Sequence, residues 1–234
     1  ALSKSERNDY QEWIRRYDTL SDADRDRIRK KARKLAQQPL ISVLMPTYNT
    51  PAEWLQEAID SVRAQLYENW ELCIADDAST DAAVRDVLER AAAQDERIKV
   101  TYREENGHIS AASNSALELC TGEWVALMDH DDLLAEHALY CVADAINRHP
   151  DAQLIYSDED KVSEHGYRFE PYFKCDFNRD LFYSHNMISH LGVYRREKLR
   201  EIGGFRLGFE GAQDHDLALR YIEQIEPAQI HHIP

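Results

Sequence analysis

The chain has 234 residues, 43% of them hydrophobic, which is enough to bury a full core as one domain or one domain with an appendage. Its 43 acidic residues against 28 basic ones give a formal net charge of -15, which argues against a protein that works by neutralising nucleic-acid phosphates or coating an anionic membrane. No run approaches the roughly 18 apolar residues of a membrane span, and Cys73, Cys120, Cys141 and Cys175 stand singly, as reduced packing cysteines rather than a zinc knuckle or disulfide framework.

The start, ALSKSERNDY, is polar, lacks an apolar centre and carries no Met, so it is not read as a secretory leader; a piece of a longer, cytoplasmic chain is expected. Residues 5–37 read as one or two helices, with Trp13, Ile14, Tyr17 and Leu20 at helical spacing. The stretch SDADRDRIRKKARKL opens acidic and closes basic, as the helix dipole favours. This N-terminal extension, 1–38, reads as a packing or linker segment with a solvated charged face, whose basic half can also meet an anionic partner.

The main domain, 39–234, changes pattern. LISVLM reads as a strand buried on both faces, and Leu55, Ala58, Ile59, Val62 and Leu66 form a helical stripe after it. Then come WELCIA as a strand, 81–93 as a helix, RIKVTY as a strand, 109–120 as a helix and EWVALM as a strand. Such alternation predicts an α/β fold, a mainly parallel sheet flanked by helices. Further on, HALYCVADAINRHP is a helix, AQLIYS a strand and DEDKVSEHGYRFEPYF a hairpin-like excursion. HLGVYRR is a strand, EKLREIGGF a short helix ending at paired glycines, and QDHDLALRYIEQI a helix with acids in its first turn.

Ligands of parallel sheets bind beyond the carboxyl ends of the strands, and the polar clusters PTYNTP, DDASTD, REENGHISAASN and DHDD all fall there. Asp129 and Asp131 flank His130, with Asp132 next; like charges there need a positive partner, and oxygen ligands at this spacing suit a hard divalent cation. Acidic loops more often cap the following helix, so the spacing alone leaves both readings open. In IADDAST, Asp76 and Asp77 can accept from a nucleobase or ribose, while Asp81 caps the next helix. PTYN lacks a glycine-rich phosphate loop, which disfavours kinases, nucleotidyltransferases and dehydrogenases.

In order and spacing, ISVLMPTYN, IDSVRAQLYENWELCIADDASTD, NGHISAASNSAL, GEWVALMDHDDLL, YSDEDKV and IGGFRLGFEGAQDHDLALR resemble a family 2 glycosyltransferase of the GT-A (Rossmann-like) type, from about residue 40 to the end. DHDD, YSDEDK and GFEGAQDHDLALR look like the bacterial enzymes of O-antigen, capsule or related polysaccharides, a rhamnosyltransferase-like subgroup whose domains often sit in longer chains. The resemblance implies that Pro46, Thr47 and Tyr48 line the nucleotide pocket, that Asp76 or Asp77 reads the base, and that Asn106, Gly107 and Asn114 line the ribose and donor side. Asp129 would meet the donor ribose or sugar, Asp131 would ligate Mn2+ or Mg2+, and Asp214 matches the family's catalytic base, with Gln213 where the commoner pattern has Glu.

Asp158, Glu159 and Asp160 are candidates to touch donor sugar or acceptor, with a solvated turn as the plain alternative. Gly204 and Phe205, in IGGFR, imply a close backbone approach to a neighbouring strand or the acceptor. His231, His232 or a residue beyond Pro234 would complete the metal site. The function implied is sugar transfer, with inversion, from a nucleoside diphosphate sugar to a hydroxyl of a glycan or lipid-linked glycan. It would take place in the cytoplasm or at the inner face of the membrane. A non-catalytic nucleotide-sugar-binding module and a metal-dependent phosphoesterase are the competing classes.

Overall fold

A computed structural model describes residues 4–234, and their side chains from residue 9 on. Two helices, α1 (Lys4–Tyr17) and α2 (Asp22–Ala32), precede the sheet. Ser21 starts α2 with a capping box, its hydroxyl accepting from the Asp24 amide. The extension is fastened at several points: Arg25 forks onto Glu136 at 2.7–2.9 Å, Asn147 brackets Gln37, and Ala32 is buried in the main core.

The strands and helices that follow are β1 (Ile41–Thr47), α3 (Ala52–Arg63), β2 (Trp70–Asp76), α4 (Ala82–Gln94), β3 (Ile98–Tyr102), α5 (His108–Leu119), β4 (Trp124–Leu127) and α6 (Ala138–Arg148). After them come β5 (Leu154–Ser157), β6 (Glu159–Val162), β7 (Arg168–Tyr172), α7 (Arg179–Ser184), β8 (Gly192–Arg195), α8 (Arg196–Glu201), α9 (Gln213–Ile222) and β9 (Ile230–Ile233). Seven strands form one sheet in the order β3-β2-β1-β4-β8-β5-β9, and β6 and β7 form a separate hairpin. Every residue of β1, β2 and β4 is buried, because both faces are covered. Side chains alternate: Ile41, Val43 and Met45 pack with α3, α4 and α6 on one face, whereas Leu44, Cys73 and Ala75 meet α5, α7, α8 and α9 on the other.

β1 to β4 are parallel, but β8 inserts between β4 and β5 and runs antiparallel to both. Apolar runs mark the other strands of this sheet without fixing their direction, so the reversal of β8 comes from the structure, as does β9, which pairs parallel with β5 through IHHI. The register sets Leu127 opposite Gly192. The segment entering β8 therefore lies beside the acidic loop leaving β4.

At the far end of the sheet Glu71 is buried and ties three strands together. Its carboxylate accepts from Ser42 Oγ (2.6 Å), Lys99 Nζ (2.5 Å), the Thr121 amide (2.6 Å) and hydroxyl (2.8 Å), and the Gly122 amide (3.1 Å). Burial alone would raise its pKa, but these donors together, Lys99 foremost, hold it down at about 2. A carboxyl depressed on folding stabilises above its ordinary pKa and loses that contribution as pH falls through the folded value. Glu71→Gln should therefore cost about 2 kcal/mol at pH 7 in urea unfolding, and the gap from wild type should close between roughly pH 4.5 and pH 2.

Candidate active site

Asp129 leaves the end of β4, and His190 sits just before β8. The antiparallel pairing brings His190 Nε2 to 3.4 Å from Asp129 Oδ2 and 3.6 Å from Asp132 Oδ2. Burial works against a charged imidazole, yet Asp129, Asp132 and Glu159 outweigh it and raise His190 to about 9. Burial pushes Asp129 up too, but His190 prevails and lowers it; Asp132 is raised, by burial first and by Asp129 and Asp131 as like charges, against the pull of His190. The imidazolium is thus the positive partner that the acidic loop requires.

Asp129, Asp132 and His190 each offer a ligand atom, and these atoms lie within 4.8 Å of one another. Two carboxylates and an imidazole at that spacing fit a divalent ion, and the nitrogen suits Mn2+ better than Mg2+. Asp131 is exposed and lies outside this group. His130 turns back to the Pro46 carbonyl at 3.2 Å. The histidines expected at the end of the chain are engaged elsewhere: His232 bonds Asp158 at 2.7 Å and His231 stacks on His149. His190 was missed because its proximity depends on the antiparallel strand; the available signal was a histidine standing directly before the apolar run LGVY.

Asp214 lies in the first turn of α9, where the helix dipole favours a carboxylate. Asn186 donates to its Oδ2 at 2.7 Å. Asp214, Asn186, Asp129 and His190 line one cavity at the carboxyl end of the parallel strands, with Pro46 and Phe205 also in its wall. Gln213 lines it too, and its Oε1 accepts from the Gly211 amide at 2.7 Å, closing the preceding turn. Buried Asp216, paired with Arg206 and Arg220, anchors the loop before α9, and Arg220 also donates to the carbonyls of Ile202 (2.9 Å) and Gly204 (2.6 Å).

The two aspartates after β2 are not equivalent. Asp77 is filled by Arg103 Nε at 2.7 Å and the Gly107 amide at 3.0 Å, and Asn106 donates to its carbonyl at 3.2 Å. A Cβ at Gly107 would sit 2.6 Å from the Arg103 guanidinium and 2.8 Å from the Ala111 Cβ, so a side chain there would force Arg103 to shift. Among the described residues the Asp76 carboxylate accepts only from the Ser79 amide, at 3.2 Å, and its Oδ1 is buried with no partner. Thr47 is buried against Thr50, whereas Tyr48 is exposed.

Several expected contact residues also make contacts within the fold. Asn114 receives the Phe205 amide (2.9 Å) and donates to its carbonyl (2.8 Å), holding that backbone against α5. Gly204 has φ +65 and would place a Cβ 2.5 Å from Asn114 Oδ1, so the close approach is to a helix side chain. Asp158 accepts from the Lys174 amide at 2.8 Å as well as from His232, and Asp160 accepts from Tyr10 (2.5 Å) and Arg168 (2.6 Å). Neither is a solvated turn: both are half-buried, and in each the two hydrogen bonds fall on one carboxylate oxygen, Oδ1 of Asp158 and Oδ2 of Asp160.

Residues 42–203 match the family described as Glycosyl transferase family 2. The uncharacterized protein y4gI of Sinorhizobium fredii is 53% identical over 96% of the chain and 25% of its own length. The O-antigen biosynthesis protein RfbC of Myxococcus xanthus is 39% identical over 81% of the chain and 15% of its own length. The chain thus spans a quarter or less of these relatives. The S. aureus TarS 1-349 structure in complex with UDP superposes with TM-score 0.68 at 23% identity, covering 82% of the chain and 57% of that one. Mannosyltransferase PcManGT from Pyrobaculum calidifontis, in complex with GDP-Man and Mn2+, gives 0.60 at 21%, covering 89% and 64%. With a GT-A fold and a family match across more than half its length, the chain belongs to glycosyltransferase family 2.

Proposed function

We propose that this chain is the transfer domain of a longer enzyme. It moves a hexose or rhamnose, with inversion, from a nucleoside diphosphate sugar to a hydroxyl of a growing surface glycan or its lipid-linked precursor. The observation that carries this reading is the meeting of Asp214 with the Asp129–His190 group in one cavity at the carboxyl end of the sheet. The names of relatives such as RfbC support a surface polysaccharide as the product.

In this reading Asp76 presents its unpartnered oxygen to a base N–H, beside Tyr48, while Asp77, Asn106 and Gly107 shape the ribose side through Arg103. Asp129, Asp132 and His190 hold the cation, and Asp131 is the free carboxylate of the same turn. A bound Mn2+ or Mg2+ supplies positive charge to the leaving diphosphate. Asp214 keeps one oxygen on Asn186 and uses the other to take the acceptor's proton as its oxygen attacks the anomeric carbon. Attack on the face opposite the diphosphate, in one displacement, inverts the centre. No described helix is long and apolar enough to cross a membrane. Work in the cytoplasm, at the inner membrane face, would rely on other parts of the polypeptide or on partners.

Asp214→Asn should cut turnover by roughly 10²- to 10⁴-fold while nucleotide affinity stays near wild type; full activity in that variant would remove the base. Asp129→Asn and Asp132→Asn should instead weaken Mn2+-dependent nucleotide binding, measured by calorimetry. An Asp131→Asn loss larger than that of Asp132→Asn would move the cation to the outer side of the turn.

A further inference from the structure

Lys174 lies two residues beyond β7, and its side chain is wholly buried. Its ammonium donates to Glu159 Oε2 at 3.0 Å, to the Ile188 carbonyl at 2.9 Å and to the His190 carbonyl at 2.7 Å. All three protons are thereby used. Glu159 Oε2 also accepts the backbone N–H of His190 at 3.1 Å. Burial lowers the Lys174 pKa, with Glu159 opposing. A buried ion pair is weak support for stability in itself, since an apolar side chain of similar volume often does as well, so a positional role is the better reason for it.

We infer that Lys174 and Glu159 are positioning residues for His190, gripping its backbone on both sides from the β6–β7 hairpin so that its ring faces Asp129 and Asp132. The inference rests on the cation site proposed above. Both contacts are to the main chain of His190, which leaves the ring free for the acidic loop. The hairpin is itself anchored: Asp160 takes Tyr10 and Arg168, and Arg168 also reaches Asp18 at 2.6 Å. α1 and Asp18 just beyond it thereby brace the platform from which His190 is aimed.

Two readouts test this on the whole chain: the affinity for Mn2+ alone, from loss of the free-ion EPR signal, and the ring NMR resonance of His190, assigned by its absence in His190→Gln. Lys174→Met should weaken Mn2+ binding about tenfold and shift or broaden the His190 resonance. Glu71→Gln, which loosens the far end of the sheet, should leave both as in wild type. If Lys174→Met does not fold, Glu159→Gln carries the test, with about threefold weaker Mn2+ binding and a moved resonance. An unmoved His190 resonance in a folded variant overturns the positioning role whatever the Mn2+ affinity. A moved resonance with Mn2+ affinity unchanged, or with no Mn2+ binding by wild type, keeps the clasp and contradicts the cation reading instead.

Discussion

Asp129 and Asp132 repel each other at the end of one buried strand, and the arrangement of this protein around its cavity follows from the need for a positive charge beside them. The positive charge in this structure is His190, held against Asp129 and Asp132. In the proposed function a metal ion would satisfy the same demand. The acidic loop would then be neutralised by His190 in one state and by a bound cation in the other, and the rest of the fold keeps the loop and the histidine opposite each other.

The decisive architectural feature is the direction of β8. Had it run parallel to β4, its leading residues would have lain at the far end of the sheet, beside Glu71 and Gly122. Running antiparallel, it delivers Asn186 and His190 to the cavity, and the loop anchored by Asp216 brings Asp214 to the same place. The cluster around Glu71 does the opposite work, sealing the inactive end with a buried carboxylate satisfied by five donors. Function is concentrated where polar groups are left with spare capacity, and stability where they have none.

Much of this was legible in the residues. The strands after residue 40 announced themselves by apolar runs and the helices by stripes such as Leu55, Ala58, Ile59 and Val62, because local burial patterns are written at a fixed period. Asp129 and Asp214 were visible as acids at element ends. What local pattern cannot carry is pairing over long separations. Strand direction, the β9 pairing and the approach of His190 to Asp129, far apart in sequence, all depend on tertiary register. The same limit hides the partners of Asn114, Asp158 and Asp160, which Phe205, His232 and Tyr10 meet from distant parts of the chain.

The central claim is that the acidic loop binds a diphosphate through a divalent cation. It is tested most directly by calorimetric titration of the chain with UDP, dTDP and GDP, each in Mn2+ and again in excess EDTA. Under this proposal one nucleotide binds in Mn2+ and its binding vanishes in EDTA. Nucleotide binding that survives EDTA, or no binding to any of the three, would contradict it.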